Sequence, residues 1–274
     1  MVIITEQIDG SNYIGRTTIP THAENPKQGQ TERSSLCLTV PRIPLIDDLT
    51  ISQIPSGSNI LVEFDPASQW YNASITIAAG WIRSSGKVQY NVSAQPPERI
   101  RSVIEHLGLD AEKIEREGSL RISDWYTATL GRKSREKFAR NSLKVAELSI
   151  DFAKEDLGTI VSLRPDWLFV MDSTSTLARF NEEKSWVEFM LTRSIPAAHI
   201  DKSRFIHGLL TDVHSQWACR QLEAAHDGIV DFKIEEEGKT TRNLVRIRSM
   251  RDVGFDKEWH ELRVRENFEV ALIR

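Results

Sequence analysis

A chain of 274 residues, 40% hydrophobic and 27% charged, can bury a full core as one α/β domain or two small ones. Its net charge of −4, from 35 basic and 39 acidic side chains, argues against nucleic acid as the main partner. Two distant cysteines, Cys37 and Cys219, without a C-x-x-C motif, suggest a reduced, cytoplasmic setting, and no run of apolar residues is long enough for a membrane span.

The start, MVIITEQIDGSN, has neither a basic n-region nor a long apolar stretch, so no signal peptide is expected. Residues 1–34 are rich in Thr, Asn, Gln and Pro and are expected to form an extended arm, with a short strand at Val2–Thr5. Residues 35–274 then make the folded domain. Ser35–Val40 alternates like a strand. RIPLIDDLT at 42–50 predicts a short helical turn, and IPSGSN at 54–59 predicts a turn into a buried strand, Ile60–Glu63. A helix from Tyr71 to Ser84 stops at Gly86, and Lys87–Val92 is a strand. Pro96 opens a helix that Gly108 ends. Asp110 starts a short helix that stops at Gly118, and Ser119–Asp124 is a strand. A loop rich in Gly, Arg and Lys over 126–135 leads into a long amphipathic helix, Arg135–Asp156. Asp166–Asp172 is an apolar run ending in an acid, the pattern of a buried parallel strand. A helix at Glu182–Thr192, a strand at Phe205–Leu210 and a helix at Ser215–Ala225 follow. Ile229–Glu235 and Asn243–Met250 pair as a hairpin around EEGK at 236–239, with two more strands at Glu258–Val264 and Phe268–Ile273. Alternating strands and helices, then a run of antiparallel strands, predict an α/β sandwich whose parallel sheet has an antiparallel extension.

The stretch with the most to say about chemistry joins the strand at 60 to the helix at 71. Strand, loop, helix is the setting of a phosphate-binding P-loop, G-x-x-x-x-G-K-[ST]. Laid on that template, the chain reads Phe64, Asp65, Pro66, Ala67, Ser68, Gln69, Trp70, Tyr71. Phe64 and Gln69 stand at the glycines, Trp70 at the lysine and Tyr71 at the Ser/Thr. A phosphate cradle needs glycines so that backbone N–H groups converge on the anion. It needs the lysine for the terminal phosphates and the hydroxyl for Mg²⁺. All four are absent, so the stretch looks like a nucleotide site filled in by side chains.

Three segments in this order, IPLIDDLTISQIPSGSNILVEFDP, VSAQPPERIRSVIEHLGLD and HDGIVDFKIEEEGKTTRNLVRIRSMR, resemble the KaiC-like branch of the RecA ATPase superfamily, over about residues 42–265. The resemblance implies a RecA-like three-layer sandwich with a mostly parallel central sheet and antiparallel C-terminal strands. It also implies an ATP site between subunits of a ring, hence a homo-oligomer. The family's glutamate pair, which polarises the attacking water, falls at Ala94 and Gln95, and neither can act as a base. The Walker B acid is retained as Asp172, followed by Ser173. The family's Lys-x-Arg, which reaches a neighbour's phosphates, reads Ser249-Met250-Arg251, so only Arg251 survives. Losses at three separated ATP-handling motifs imply a non-catalytic pseudo-ATPase, without cofactor, that acts on a protein partner in signalling or regulation. Two alternatives stay open. One is a divergent ATPase or switch holding ATP and Mg²⁺ with Asp172 and Arg251. The other is a sensor module that binds a small planar ligand near Trp70.

Each residue also has a plainer reading. Asp172 can cap a neighbouring turn. Trp70 and Tyr71 can pack on the sheet. Arg251 can form a surface ion pair. His199, His207, His214 and His226 match no metal-ligand spacing, and no G-x-S-x-G or other serine–histidine–acid arrangement is legible. Glu235, Glu236 and Glu237 read as a solvated turn. Arg242, Arg246, Arg248, Arg251, Arg263 and Arg265 read as guards of exposed strands rather than a nucleic-acid stripe.

Overall fold

The computed structural model describes residues 41–157, 164–238 and 240–273. The arm expected at 1–34 and the strand expected at 35–40 lie outside the described residues.

The centre of the molecule is β1 (Asn59–Phe64), buried at every position except Glu63. Its side chains alternate across the sheet, as a period of two requires. Ile60, Val62 and Phe64 enter one apolar layer and Leu61 the other. The first layer is covered by α1 (Trp70–Arg83), α2 (Pro97–His106) and α3 (Ala111–Arg116). Helix α1 ends before Gly86, where any Cβ would lie 2.2 Å from the Trp81 indole nitrogen. Pro97 sits in the first turn of α2, where a missing N–H costs nothing. Asp110 caps α3 by accepting from the Lys113 N–H at 2.8 Å.

The remaining strands are β2 (Lys87–Val92), β3 (Leu120–Asp124), β4 (Phe138–Ala139), β5 (Trp167–Met171), β6 (Arg204–Leu210), β7 (Gly228–Glu237), β8 (Thr240–Met250), β9 (His260–Val264) and β10 (Val270–Leu272). Their order in the sheet is β10-β9-β8-β7-β1-β6-β5-β2-β3-β4. Strands β1 to β7 run parallel, and β8, β9 and β10 each run antiparallel to the strand before. A short helix, α4 (Tyr126–Thr129), follows β3. The opposite face carries α5 (Val145–Leu157), α6 (Ser175–Ala178), α7 (Glu183–Phe189), α8 (Ile195–Asp201) and α9 (Gln216–Ala225). This is the three-layer sandwich with an antiparallel extension that the sequence predicts. Among the described residues, no helix is long and apolar enough to cross a membrane.

Two helices depart from expectation. The long helix at 135–156 begins only at Val145, and Phe138 and Ala139 instead add β4 to the edge of β3. Polar pairs outcompete helix propensity there. Arg101 grips Glu136 at 2.7 Å and Glu115 at 2.8 Å, the Ser134 hydroxyl donates to Asp124 at 2.6 Å, and the Arg121 guanidinium lies 4.4 Å from the Phe138 ring centre. The helix at 182–192 runs on instead of stopping, through a π turn at Met190–Ser194 into α8. Pro196 has no N–H to give and its ring crowds the carbonyl of the turn before it. The wider π turn immediately upstream gives that ring room.

Candidate functional site

All the parallel strands end on one edge of the sheet, where open α/β folds place their ligands. The loops leaving β1, β2, β3, β5 and β6 meet there around a cavity of about 580 Å³. Tyr71, Ser93, Ser173, Ser175, Arg179 and His214 are among its lining residues.

Residues 64–71 behave as a self-tied loop. Phe64 and Trp70 are fully buried. Trp70 begins α1, and its indole N–H donates to the Asp172 carbonyl at 2.8 Å. The ring packs edge-on against Phe232 at 5.4 Å and lies 6.1 Å from Phe64. Strand β6 supplies the room: a Cβ on Gly208 would sit 2.7 Å from the indole nitrogen and 2.3 Å from the Asp172 carbonyl oxygen. Asp65 accepts from Thr211 at 3.1 Å and from the Ile234 N–H at 3.0 Å. Ser68 folds back on the Asp65 carbonyl at 2.8 Å, and the Gln69 amide oxygen accepts from Asn72. Pro66 and Ala67 are exposed. Tyr71 alone keeps one side on the cavity, with its ring 5.4 Å from Phe64. Burial pushes its phenol up to about 12, so it is a neutral donor at ordinary pH.

Asp172, just past β5, is fully buried. It accepts from the Ser93 N–H at 2.9 Å, the Ser93 hydroxyl at 2.6 Å and the Ala94 N–H at 3.1 Å. Burial pushes its carboxyl up to about 6 against those three bonds. Both oxygens are therefore committed to the turn at the end of β2. Ser173 is buried beside it and lines the cavity, as does Ala94, and Gln95 is half-buried next to them. This donor set does not fit a metal-bound triphosphate. Position 70 offers a buried indole and no ammonium, position 71 a phenol, and both oxygens of the acid already accept hydrogen bonds from the turn after β2. Among the described residues, no three His, Cys, Asp or Glu side chains gather as a metal site.

The family model for the KaiC ATPase matches residues 42–271. The chain belongs to the KaiC ATPase family. Among solved structures it is similar to a KaiC-like protein from the hyperthermophilic archaeon Pyrococcus horikoshii, with 15% identity and a TM-score of 0.63. That match covers 85% of this chain and 97% of the other, and at such identity it speaks for the fold. No curated protein matches the chain. All three resembling segments lie inside the matched span.

A second cluster at the same edge of this KaiC-family chain has no signature in the sequence. The Ser175 hydroxyl oxygen accepts from the Leu210 N–H at 2.9 Å and lies 2.8 Å from His214 Nε2. His214 Nδ1 faces Glu183 Oε1 at 3.7 Å. Glu183 accepts from the Ser215 hydroxyl and, at 2.9 Å, the Ser215 N–H; these bonds hold its carboxyl below the usual range. Burial lowers the His214 imidazole, whose ring lies 4.7 Å from that of Trp186.

Two other histidines also meet, ring to ring. His226 Nδ1 donates to the Leu222 carbonyl at 2.7 Å, which leaves its Nε2 to accept from His207 Nδ1 at 3.0 Å. His207 Nε2 then accepts from the Ser194 hydroxyl, also at 3.0 Å. Both rings are buried; burial pushes His226 down to about 4 and His207 well below the usual value, so the chain of bonds is neutral. His199 stands apart, 3.8 Å from Asp227.

Arg251 is not brought to the cavity. It bonds the Ala224 carbonyl at 2.7 Å and pairs with Asp227 at 3.5 Å, by the start of β1. The length of β1, roughly 20 Å, separates it from the edge where Asp172 sits. Four of the other five tail arginines are tied to carboxylates, Arg242 to Glu261 at 3.2 Å, Arg246 to Asp231 at 2.8 Å, Arg248 to Glu63 at 2.7 Å and Arg265 to Glu269 at 2.6 Å, while Arg263 is exposed. The acidic run at 235–237 extends β7 instead of turning, and Gly238, at a φ of +64°, makes the bend.

Proposed function

We propose that this KaiC-family protein does not hydrolyse ATP and acts through protein contacts, in a regulatory or signalling role. The observation that carries this reading is the Trp70 indole, fully buried and bonded to the Asp172 carbonyl at the position that the P-loop template gives to the lysine. Phosphoryl transfer needs the lysine and Mg²⁺ to neutralise charge on the transferring group, and a base or dipole to orient the water. Neither Ala94 nor Gln95 supplies the base. Calorimetry with ATP and Mg²⁺ is expected to show no binding heat, and phosphate release to stay at background. Steady release that disappears in Asp172→Asn would overturn the reading.

One alternative keeps support from a specific observation. Tyr71 faces the cavity, so a small planar ligand could stack there, beside the Trp70 position rather than on it. A metabolite released from the purified protein on denaturation would favour that reading. A divergent ATP site using Asp172 and Arg251 requires the two to meet across a subunit boundary, since they stand at opposite edges of one sheet.

A further inference from the structure

The cavity brings together three side chains that no motif connects: Ser175 after β5, Glu183 at the start of α7 and His214 after β6. We propose that Ser175 is a nucleophile, with His214 as its general base and Glu183 orienting the imidazole, and that the cavity accepts a small activated carboxylic ester. This goes beyond the proposed lack of ATP hydrolysis and does not depend on it.

The hydrogen-bond pattern sets the direction of proton transfer. The Ser175 oxygen is held by the Leu210 N–H at 2.9 Å, so its own proton is free to point at His214 Nε2, 2.8 Å away. In the tautomer with its proton on Nδ1, facing the Glu183 carboxylate at 3.7 Å, Nε2 is the acceptor for that hydroxyl proton. The imidazole cannot swing freely, because it lies against Trp186, whose own N–H is fixed on Thr174 at 3.1 Å. Glu183 is fixed in turn by the backbone and hydroxyl of Ser215. A hydroxyl hydrogen-bonded to an imidazole whose other nitrogen faces a carboxylate at ion-pair distance is the arrangement of an activated hydroxyl, whatever the order of residues in the chain. The surroundings match the roles: burial keeps His214 neutral and able to accept a proton, while Glu183 stays ionised. Tyr71 and Arg179 line the same cavity and carry donors for an oxyanion.

The step balances without any further reagent. The Ser175 oxygen bonds to the ester carbonyl carbon as its proton passes to His214 Nε2. The carbon–oxygen bond to the leaving alcohol breaks, and that oxygen takes the proton from His214. Water, deprotonated by His214, then releases the carboxylic acid and restores Ser175.

A fluorophosphonate probe, read by intact mass and peptide mapping, tests the assignment in the full chain. One adduct per chain is expected, on Ser175, and none in Ser175→Ala. His214→Gln is expected to slow labelling by at least about a hundredfold, and Glu183→Gln by about tenfold. The wild-type rate should climb with pH as His214, which faces Glu183, Ser175 and Trp186, loses its proton below pH 6.5, and stay level above. This profile and the partly exposed Glu183→Gln variant remain readable even if His214→Gln does not fold. Absence of an adduct, an adduct on another hydroxyl, or a rate indifferent to both Glu183→Gln and pH overturns the proposal.

Discussion

At the scale of single residues, the buried pair His207–His226 makes the protein sensitive to acid. In the folded chain His226 titrates at about 4, against 6.5 for a free imidazole, so the unfolded chain binds the proton first. Its contribution is present above pH 6.5 and is lost as pH falls toward 4. Every tenfold difference in proton affinity between the folded and unfolded chain corresponds to about 1.4 kcal/mol. Between pH 7.5 and 5 the wild type should therefore lose roughly 2 kcal/mol more than His226→Gln, measured as urea unfolding free energies. Asp172 and Glu63 act with the opposite sign. Burial raises them to about 6 and about 7, so stability falls as pH rises through each range. They are common to both chains and cancel in the comparison. Equal losses in the two proteins would remove the histidine pair from the account. The pair was illegible in the sequence, because 19 residues separate its members and only the packing of α9 on β6 joins them. Ser175 and His214 were hidden in the same way, 39 residues apart. Asp172 was legible, since an acid that closes an apolar run marks a strand end without any tertiary information.

At the scale of elements, the joint between α1 and β6 decides whether the sheet edge stays closed. Trp70 fills the space that Gly208 leaves, and the indole ties the helix to the backbone after β5. Gly208→Ala would drive a methyl into a carbonyl oxygen at 2.3 Å, and backbone cannot rotate aside as a side chain can. Such overpacking costs about 1–3 kcal/mol. Trp70→Lys removes the indole, for which truncation costs roughly 3–5 kcal/mol, and leaves a buried ammonium without a partner. Thermal melts should show both variants destabilised, Trp70→Lys more so, and restoring the remaining motif letters with Phe64→Gly, Gln69→Gly and Tyr71→Thr should not recover ATP binding. A melting temperature for Trp70→Lys within a degree or two of wild type would mean that the indole is not structural. Most helices and strands were legible from periodicity and from Gly and Pro punctuation. The failures came where specific partners override propensity: Arg101 and Asp124 hold 134–138 extended, and a π turn carries a helix past Pro196.

At the scale of the whole molecule, the two edges of the sheet differ chemically, with Asp172 and the cavity on one and Arg251 on the other. An arrangement with unlike edges favours head-to-tail contacts, which close into rings or extend into filaments. Self-association is expected, and on the proposal that ATP does not bind it should be independent of nucleotide. Light scattering on the full chain at high concentration should give a mass above the monomer; a monomer under those conditions would count against it. The strand order has a further consequence, for birth rather than for assembly. Strand β1 is flanked by β6 and β7, so Ile60 lies beside Ile206 and Gly228. At a translation rate of about 5–20 residues per second, β7 leaves the ribosome roughly 10–30 s after β1. Until β6 emerges shortly before it, this buried strand has no neighbour on either side, and until β7 emerges it has only one. The sheet's central strand therefore completes its pairing only once nearly all of the chain has been made.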